Sequence, residues 1–214
     1  QYLIVQEIIS VIADGSAKSM SLMGPAGSGK TFTLSFLSEE IMNAWGKEAV
    51  VFITPTHKAA REIRVKLPRR MQRPGGVTTI HSFVGSSSRK VRDEEKFSDP
   101  SVDDIHRKAA NLNPSLKVVV VDESSMVSQE YADFVDQVCQ HARESRGQEI
   151  LVIHTGDPYQ LPPISKKKKG DDEDTYSADL EYSPDMCDQF TNNECNLRLT
   201  QVLRHDGKIF EIAT

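Results

Sequence analysis

The sequence has few cysteines and no long apolar run, and both absences narrow what it can be. Its three cysteines, Cys139, Cys187 and Cys195, form no CxxC pair, so neither a disulfide framework nor a zinc knuckle is indicated. No stretch reaches the roughly eighteen apolar residues of a membrane span, and the first residues lack the basic-then-apolar order of a signal peptide. We therefore expect a soluble, cytoplasmic, monomeric protein that does not enter a membrane.

The sequence also has fewer basic than acidic residues. The sequence has 26 Lys and Arg against 31 Asp and Glu, a formal net charge of −5, which argues against a uniformly basic protein that coats nucleic acid. Basic residues do form two local groups, at 66–73 and 89–92. Each group is either an ordinary solvated surface or a local nucleic-acid-binding face, and charge alone leaves both interpretations open.

The apolar pattern predicts one α/β domain. A chain of 214 residues can form one well-buried α/β domain with an inserted subdomain, but it is short for two complete domains. Runs of β-branched residues without polar alternation are typical of parallel strands covered on both faces. Helical patterns separate these runs, which predicts a doubly wound parallel sheet. The predicted strands are 17–23, 49–53, 117–121 and 150–153, and the predicted helices are 3–13, 31–45, 58–67 and 129–143.

A glycine-rich segment lies between the first predicted strand and the helix that follows it. Its spacing, G-x-x-x-x-G-K-T, places backbone N–H groups around the β- and γ-phosphates of a nucleotide at a helix N-terminus, where the dipole favours anions. Lys30 adds a point charge, and Thr31 supplies a hydroxyl for Mg²⁺. We therefore predict that ATP binds to this P-loop and the residue after it: Gly24, Pro25, Ala26, Gly27, Ser28, Gly29, Lys30, Thr31 and Phe32.

Two adjacent carboxylates, Asp122 and Glu123, follow the predicted strand 117–121. Ligands of open α/β sheets bind at the carboxyl ends of the strands, where this pair would lie. Asp122 is predicted to hold the Mg²⁺ shell, and Glu123 to orient and deprotonate the attacking water. The alternative is an ordinary polar strand end. The pair favours hydrolysis by water over phosphoryl transfer to a hydroxyl.

Two later residues are candidates for contact with the γ-phosphate. Gln160 lies in the proline-stiffened loop that follows the predicted strand 150–153, at the same sheet edge as Asp122. It is either a γ-phosphate sensor or part of a rigid turn. Arg204 could stabilise negative charge on the transferring phosphoryl group, although a lone Arg is usually a surface residue.

The order of these segments resembles that of the successive motifs of superfamily 1 helicases, most closely the 1B group and its RecD-like, Dda-type branch. The segments that resemble motifs are the P-loop, TPTHKAA at 54–60, TTIHSF at 78–83, DESSM at 122–126, GDPYQLPP at 156–163 and LTQVLR at 199–204. The resemblance implies a RecA-like P-loop NTPase fold: a parallel sheet in three layers, with a small inserted subdomain. It also implies an ATP-dependent DNA helicase that moves 5′-to-3′ along single-stranded DNA.

The same resemblance implies roles for particular residues. Gln160 would contact the γ-phosphate, Arg204 would be an arginine finger, and Gln1 would recognise adenine. The basic group at 66–73 lies between two of the matching segments, which favours contact with a nucleic-acid backbone. Contacts with single-stranded DNA are implied for Thr54, Pro55, Thr56, His57, Thr79 and His81.

The resemblance also implies a division of the chain. Residues 1–84 and 116–214 would form motor domain 1A, residues 85–115 an inserted 1B-like subdomain, and residues 166–177 a mobile charged loop. Helicases of this kind close a second RecA-like domain over the nucleotide. We expect that domain to be absent from these residues and to be a partner from the C-terminal part of the parent chain.

Three other functions stay open on sequence alone. The first is a stand-alone P-loop ATPase that switches conformation without translocating, and the second is an RNA helicase of the same superfamily. The third is a nucleic-acid-binding module with a vestigial nucleotide site. The presence of Lys30, Thr31, Asp122 and Glu123 argues against the third possibility.

Overall fold

The computed structural model describes residues 1–86, 88–91, 94–97, 99–157 and 195–200, and for 88–91 and 94–97 it describes the backbone alone. Its strands are β1 (Ser19–Met23), β2 (Val50–Thr54), β3 (Val77–Thr79), β4 (Ser88–Val91), β5 (Glu94–Phe97), β6 (Val118–Val121), β7 (Leu151–Gly156) and β8 (Cys195–Arg198). Its α-helices are α1 (Tyr2–Asp14), α2 (Lys30–Trp45), α3 (His57–Lys66), α4 (Ile80–Val84), α5 (Val102–Ala110) and α6 (Gln129–Arg146).

Six of these strands form one parallel sheet in the order β3-β2-β6-β7-β1-β8. The four predicted strands are its central members, and all four are confirmed. Sequence analysis missed β3 and β8, the two edge strands, which have 3 and 4 residues. All the carboxyl ends of the sheet strands lie at one edge because every pair is parallel.

The sheet is covered on both faces, as its strand pattern predicts. Alternate side chains of β6 divide between the two cores: Val118 and Val120 belong to the first, and Val119 and Val121 to the second. Helices α1, α2 and α3 complete the first core, and α4, α5 and α6 complete the second. The predicted three-layer, RecA-like P-loop NTPase fold is therefore confirmed.

The predicted insertion, 85–115, consists of two different parts. Strands β4 and β5 form an antiparallel hairpin that is a sheet of its own. Helix α5 instead packs on α6, and its Ile105 and Ala109 lie in the second core. Ser101 begins α5 with a capping box, in which its hydroxyl accepts from the N–H of Asp104. The boundaries of a 1B-like subdomain remain a prediction, and residues 166–177 lie outside the described ranges.

No helix within the described ranges is long and apolar enough to span a bilayer.

Candidate nucleotide-binding site

The carboxyl edge of the sheet brings together segments that are far apart in the sequence. The P-loop follows β1, the carboxylate pair follows β6, and Asp157 follows β7. Strand β8 is hydrogen-bonded to the other side of β1, and it ends at the P-loop as well. The parallel register therefore concentrates the candidate residues at one place, as expected for open α/β sheets.

The P-loop turns sharply between β1 and α2. Gly27 has φ 81° and Gly29 has φ 93°, in the left-handed region that favours glycine. Gly24 is required for a different reason, because a Cβ there would lie 2.6 Å from Ser28 Oγ and 3.0 Å from Leu199 Cβ. Helix α2 begins at Lys30, so its first N–H groups have no carbonyl one turn earlier and point to the loop. This is the anion-binding geometry that the sequence predicts.

Lys30 folds back onto the loop. Its Nζ donates to the carbonyl oxygens of Gly24, at 2.5 Å, and Pro25, at 3.2 Å. Burial lowers the pKa of Lys30, and the opposing charges of Asp157, Glu123 and Asp122 limit that decrease. One ammonium therefore faces three carboxylates, which makes Lys30 the positive centre of the site.

The carboxylate pair lies in an unusual backbone turn. Glu123 has φ 53° and ψ 42°, and among the described residues it is the one non-glycine with positive φ. Its Oε2 is buried and has no hydrogen-bond partner there. Burial, and next the charge of Glu123, raise the pKa of Asp122 to about 7. Two such carboxyl groups favour a bound cation, because a cation would stabilise both in their charged forms.

Asp157 is a site residue that sequence analysis missed. It is buried, and its Oδ2 accepts a hydrogen bond from the N–H of Ala26 at 3.0 Å. The neighbouring Gly156 O accepts from Gly24 N at 3.2 Å, so the end of β7 supports the P-loop at two points. The position of Asp157 directly after a predicted strand was the available signal, but its partner depends on the pairing of β7 with β1.

Gln1 and Phe32, two of the residues predicted to bind ATP, lie next to the P-loop. Gln1 Nε2 donates to Ser28 O at 3.4 Å. The Phe32 side chain follows Thr31 on α2 and is 67% exposed. The buried Ser28 Oγ has no hydrogen-bond partner among the described residues. An unpaired hydroxyl and an exposed ring next to the loop fit a nucleotide site, and their contacts with ATP remain predictions.

The LTQVLR segment reaches the P-loop at its first residue. Leu199 N donates to Met23 O at 2.8 Å, which continues the pairing of β8 with β1. Leu199, together with Ser28, crowds the space that a side chain at Gly24 would occupy. The two predicted γ-phosphate contacts, Gln160 and Arg204, lie outside the described residues.

The three threonines predicted to contact DNA also hold the backbone at this edge. Thr54 Oγ1 donates to Thr56 O at 3.0 Å. Thr56 begins α3 by accepting from Ala59 N at 3.1 Å, and Thr79 begins α4 by accepting from Ser82 N at 3.4 Å. These hydroxyls act as helix caps and turn bonds, which shapes the two segments whether or not they touch DNA.

The remaining predicted DNA contacts differ in exposure. Pro55 is half-buried, whereas His57 is exposed at the first position of α3. The ring of His81 lies 4.6 Å from that of Tyr131 on α6, centroid to centroid. The structure therefore leaves the His57 side chain accessible and packs His81 against the second helical layer. Their contacts with DNA remain predictions.

The basic group at 66–73 makes several contacts within the protein. The charge of Lys66, at the end of α3, is among those that limit the rise in the pKa of Asp122. Arg73 pairs with Glu48 at 3.0 Å and donates to Lys47 O at 2.8 Å, and Arg70 donates to Asn43 Oδ1 at 2.8 Å. These bonds tie Arg70 to α2 and Arg73 to the loop before β2, and contact of the basic group with a nucleic-acid backbone remains a prediction.

The donor set at the carboxyl edge fits Mg²⁺ bound together with a nucleotide. No group of three or more His, Cys, Asp or Glu side chains capable of holding a metal was found among the described residues. Mg²⁺ usually takes one or two protein oxygens and completes its shell with phosphate and water. Thr31 and Asp122 could supply those two oxygens.

The sheet order, the P-loop geometry and the adjacent carboxylates define a RecA-like P-loop NTPase domain. A family model described as "AAA domain" matches residues 6–166, about three quarters of the chain. The chain belongs to this AAA domain family.

Curated relatives narrow the family further. The chain is 26% identical over 152 residues to the "ATP-dependent DNA helicase RRM3" of Saccharomyces cerevisiae, covering 67% of this chain and 18% of that one. It is 30% identical over 158 residues to the "ATP-dependent DNA helicase PIF1" of Danio rerio, covering 72% of this chain and 21% of that one. The chain thus spans about a fifth of the length of these two relatives.

Solved structures agree on the fold. A Pif1 helicase structure from Candida albicans matches with a TM-score of 0.60 and 18% identity, covering 99% of this chain and 41% of that one. A Bacteroides Pif1 in complex with ADP-AlF3 and ssDNA matches with a TM-score of 0.56 and 22% identity, covering 97% and 44%. The resemblance to superfamily 1B helicase motor domains is confirmed, and the narrower likeness to a RecD-like, Dda-type branch remains a prediction.

Proposed function

We propose that the chain is the ATP-hydrolysing motor domain of a DNA helicase that moves 5′-to-3′ along single-stranded DNA. The observation on which this rests is the assembly, at one sheet edge, of an anion-binding loop, a buried ammonium and an adjacent pair of carboxylates. Relatives named as ATP-dependent DNA helicases support the same function.

The chain's own residues would bind and orient ATP in a defined arrangement. The N–H groups at the start of α2 and the Lys30 ammonium would hold the phosphates once Lys30 leaves the carbonyls of Gly24 and Pro25. Thr31 and Asp122 would hold Mg²⁺. Bound there, Mg²⁺ would neutralise charge that develops on the phosphate oxygens. Gln1 and Phe32 would contact the base.

Glu123 is the proposed general base for hydrolysis. Its Oε2 is buried without a protein partner in the described ranges, so it is available to accept a proton from a water molecule. A lowered pKa for Lys30 and a raised pKa for Asp122 show how strongly burial acts on charged groups here. Gln160 and Arg204 would contact the γ-phosphate.

Single-stranded DNA would cross the carboxyl edge beyond β2 and β3. His57 is exposed there, and the segments Thr54–His57 and Thr79–His81 are shaped by their caps. A second RecA-like domain, from the C-terminal part of the parent chain, would complete the nucleotide cleft. The chain covers 41 to 44% of the two Pif1 structures described above, which leaves room for such a domain in the parent protein.

ATP hydrolysis with and without single-stranded nucleic acid tests this proposal. Phosphate release is measured on this chain and on the parent protein, with oligo-dT, with oligo-rU and without either, and Lys30→Ala serves as the inactive control. Stimulation by DNA is expected, with displacement of a duplex strand only from a substrate with a 5′ tail. Preferential stimulation by RNA would indicate an RNA helicase, and hydrolysis by the parent protein without any stimulation would exclude a nucleic-acid motor.

A further inference from the structure

A buried hydrogen-bonded pair links the carboxylate turn to the neighbouring strand. Ser124, the residue after Glu123, is 1% exposed, and His154 on β7 is 3% exposed. Ser124 Oγ lies 2.8 Å from Val121 O and 3.4 Å from His154 Nδ1. Val121 and His154 are partners in the register of β6 with β7. One hydroxyl therefore connects the end of β6 with the middle of β7.

The number of hydrogens fixes the direction of each bond in this pair. A serine hydroxyl has a single hydrogen, and here it is donated to Val121 O. Toward His154 the oxygen can therefore only accept, so Nδ1 must carry the hydrogen. Burial lowers the pKa of His154 to about 4, which keeps the ring neutral near pH 7. His154 is thus a neutral Nδ1–H donor.

The pair acts on a turn that needs support. Glu123 adopts the left-handed conformation, which disfavours a residue with a Cβ and persists only where the surroundings hold it. Val127 N donates to Ser124 O at 3.0 Å, and Met126 N donates to Glu123 O at 2.9 Å, which closes the turn beyond the pair. Ser124 lies at the centre of these contacts. Three residues after His154, Asp157 supports Ala26 of the P-loop.

We infer that Ser124 and His154 are positioning residues that hold the Glu123 carboxylate in register with β7 and, through Asp157, with the P-loop. This inference depends on the proposed function, because it assigns Glu123 a catalytic task. Both side chains are buried, so we expect neither to touch the nucleotide. Their loss should therefore lower the rate of hydrolysis while leaving the affinity for ATP nearly unchanged.

Four variants test the inference, and the chain offers a close control. Ser124→Ala removes the acceptor, and His154→Leu removes the donor. His154→Asn keeps a donor, because the amide nitrogen of Asn is attached to Cγ, as Nδ1 of histidine is. Ser38→Ala is the control, because Ser38 is also buried and its hydroxyl also donates to the carbonyl three residues earlier, at 2.7 Å. Ser38 lies within α2 and has no histidine partner among the described residues.

The measurements are kcat and KM for ATP, thermal unfolding, and ¹⁵N spectra of the histidine rings. We expect kcat to fall about ten- to hundredfold in Ser124→Ala and His154→Leu, with KM within about twofold, and to recover in His154→Asn. Ser38→Ala should match the unsubstituted chain. The spectra should show Nδ1–H at His154, and they should change in Ser124→Ala.

Two results would overturn the inference while the proposed function survives. In the first, the unsubstituted chain hydrolyses ATP and the Ser124→Ala and His154→Leu variants have the same kcat. In the second, kcat is as low in His154→Asn as in His154→Leu, and the decrease is proportional to the loss of folded protein. An unsubstituted chain that binds ATP but never hydrolyses it, even as the parent protein with DNA, would overturn the proposed function instead.

Discussion

The buried imidazole of His154 should make the stability of the domain depend on pH. Its pKa is about 4 in the folded protein against 6.5 as the ordinary value, so the unfolded chain binds more protons between those pH values. The stabilisation is complete above pH 6.5 and is lost as the pH falls toward 4. At about 1.4 kcal/mol for each pH unit between the two pKa values, the whole contribution is about 3.5 kcal/mol.

Comparison of the unsubstituted chain with His154→Asn isolates the contribution of His154 to the free energy of unfolding. The pKa of Asp122 is raised to about 7 and that of Asp136 to about 6, both chiefly by burial, and these groups favour the folded state as the pH falls. Their effect occurs in both proteins and cancels in the difference. Urea unfolding followed by the fluorescence of Trp45, the single tryptophan, gives the free energy of unfolding at each pH.

The expected difference curve is flat from pH 8 to 7 and then falls. By about pH 4.5 the unsubstituted chain should have lost about 2.5 kcal/mol relative to His154→Asn. A difference that stays constant over the whole range would refute the reasoning, since it would mean that His154 takes up a proton as easily in the folded as in the unfolded chain.

Three further substitutions have defined outcomes. Gly24→Ala should lower the free energy of unfolding by about 1 to 3 kcal/mol in urea titrations, since the new Cβ would lie too close to Ser28 Oγ and to Leu199; unchanged stability would count against that packing. Asp157→Ala should cost about 1 to 3 kcal/mol because Ala26 N–H loses its acceptor, and Asp157→Asn should recover most of it in the same titration. Arg73→Ala should leave the affinity for fluorescent oligo-dT within about twofold, because the Arg73 guanidinium is engaged with Glu48 and Lys47 O. A larger loss, together with a weaker salt dependence of binding, would show that Arg73 contacts phosphate.

The central strands could be predicted because their information is local. Four consecutive valines, Val118–Val121, have both faces buried, and such a run has few alternatives to a strand inside a three-layer fold. The P-loop was predictable for a similar reason, because its glycines and lysine are adjacent in sequence. A short stretch of sequence contains all the residues that specify each of these two features.

The missed features depend on pairing between distant segments. β3 has only 3 residues, too few for a periodic pattern, and β8 is recognisable only beside β1, about 175 residues earlier. The role of Asp157 likewise requires β7 to lie next to β1. Sequence order likewise cannot show that Arg70 bonds to Asn43 or that Arg73 pairs with Glu48.

Single-turnover hydrolysis by Glu123→Gln tests the central claim most directly. The unsubstituted chain and the variant are each mixed with ATP, Mg²⁺ and oligo-dT, and bound nucleotide and released phosphate are measured separately, with both proteins also prepared as the parent chain. If Glu123 is the general base, ATP binding is retained within about threefold while the rate of cleavage falls about a hundredfold or more. Cleavage by Glu123→Gln at the rate of the unsubstituted chain would contradict the account.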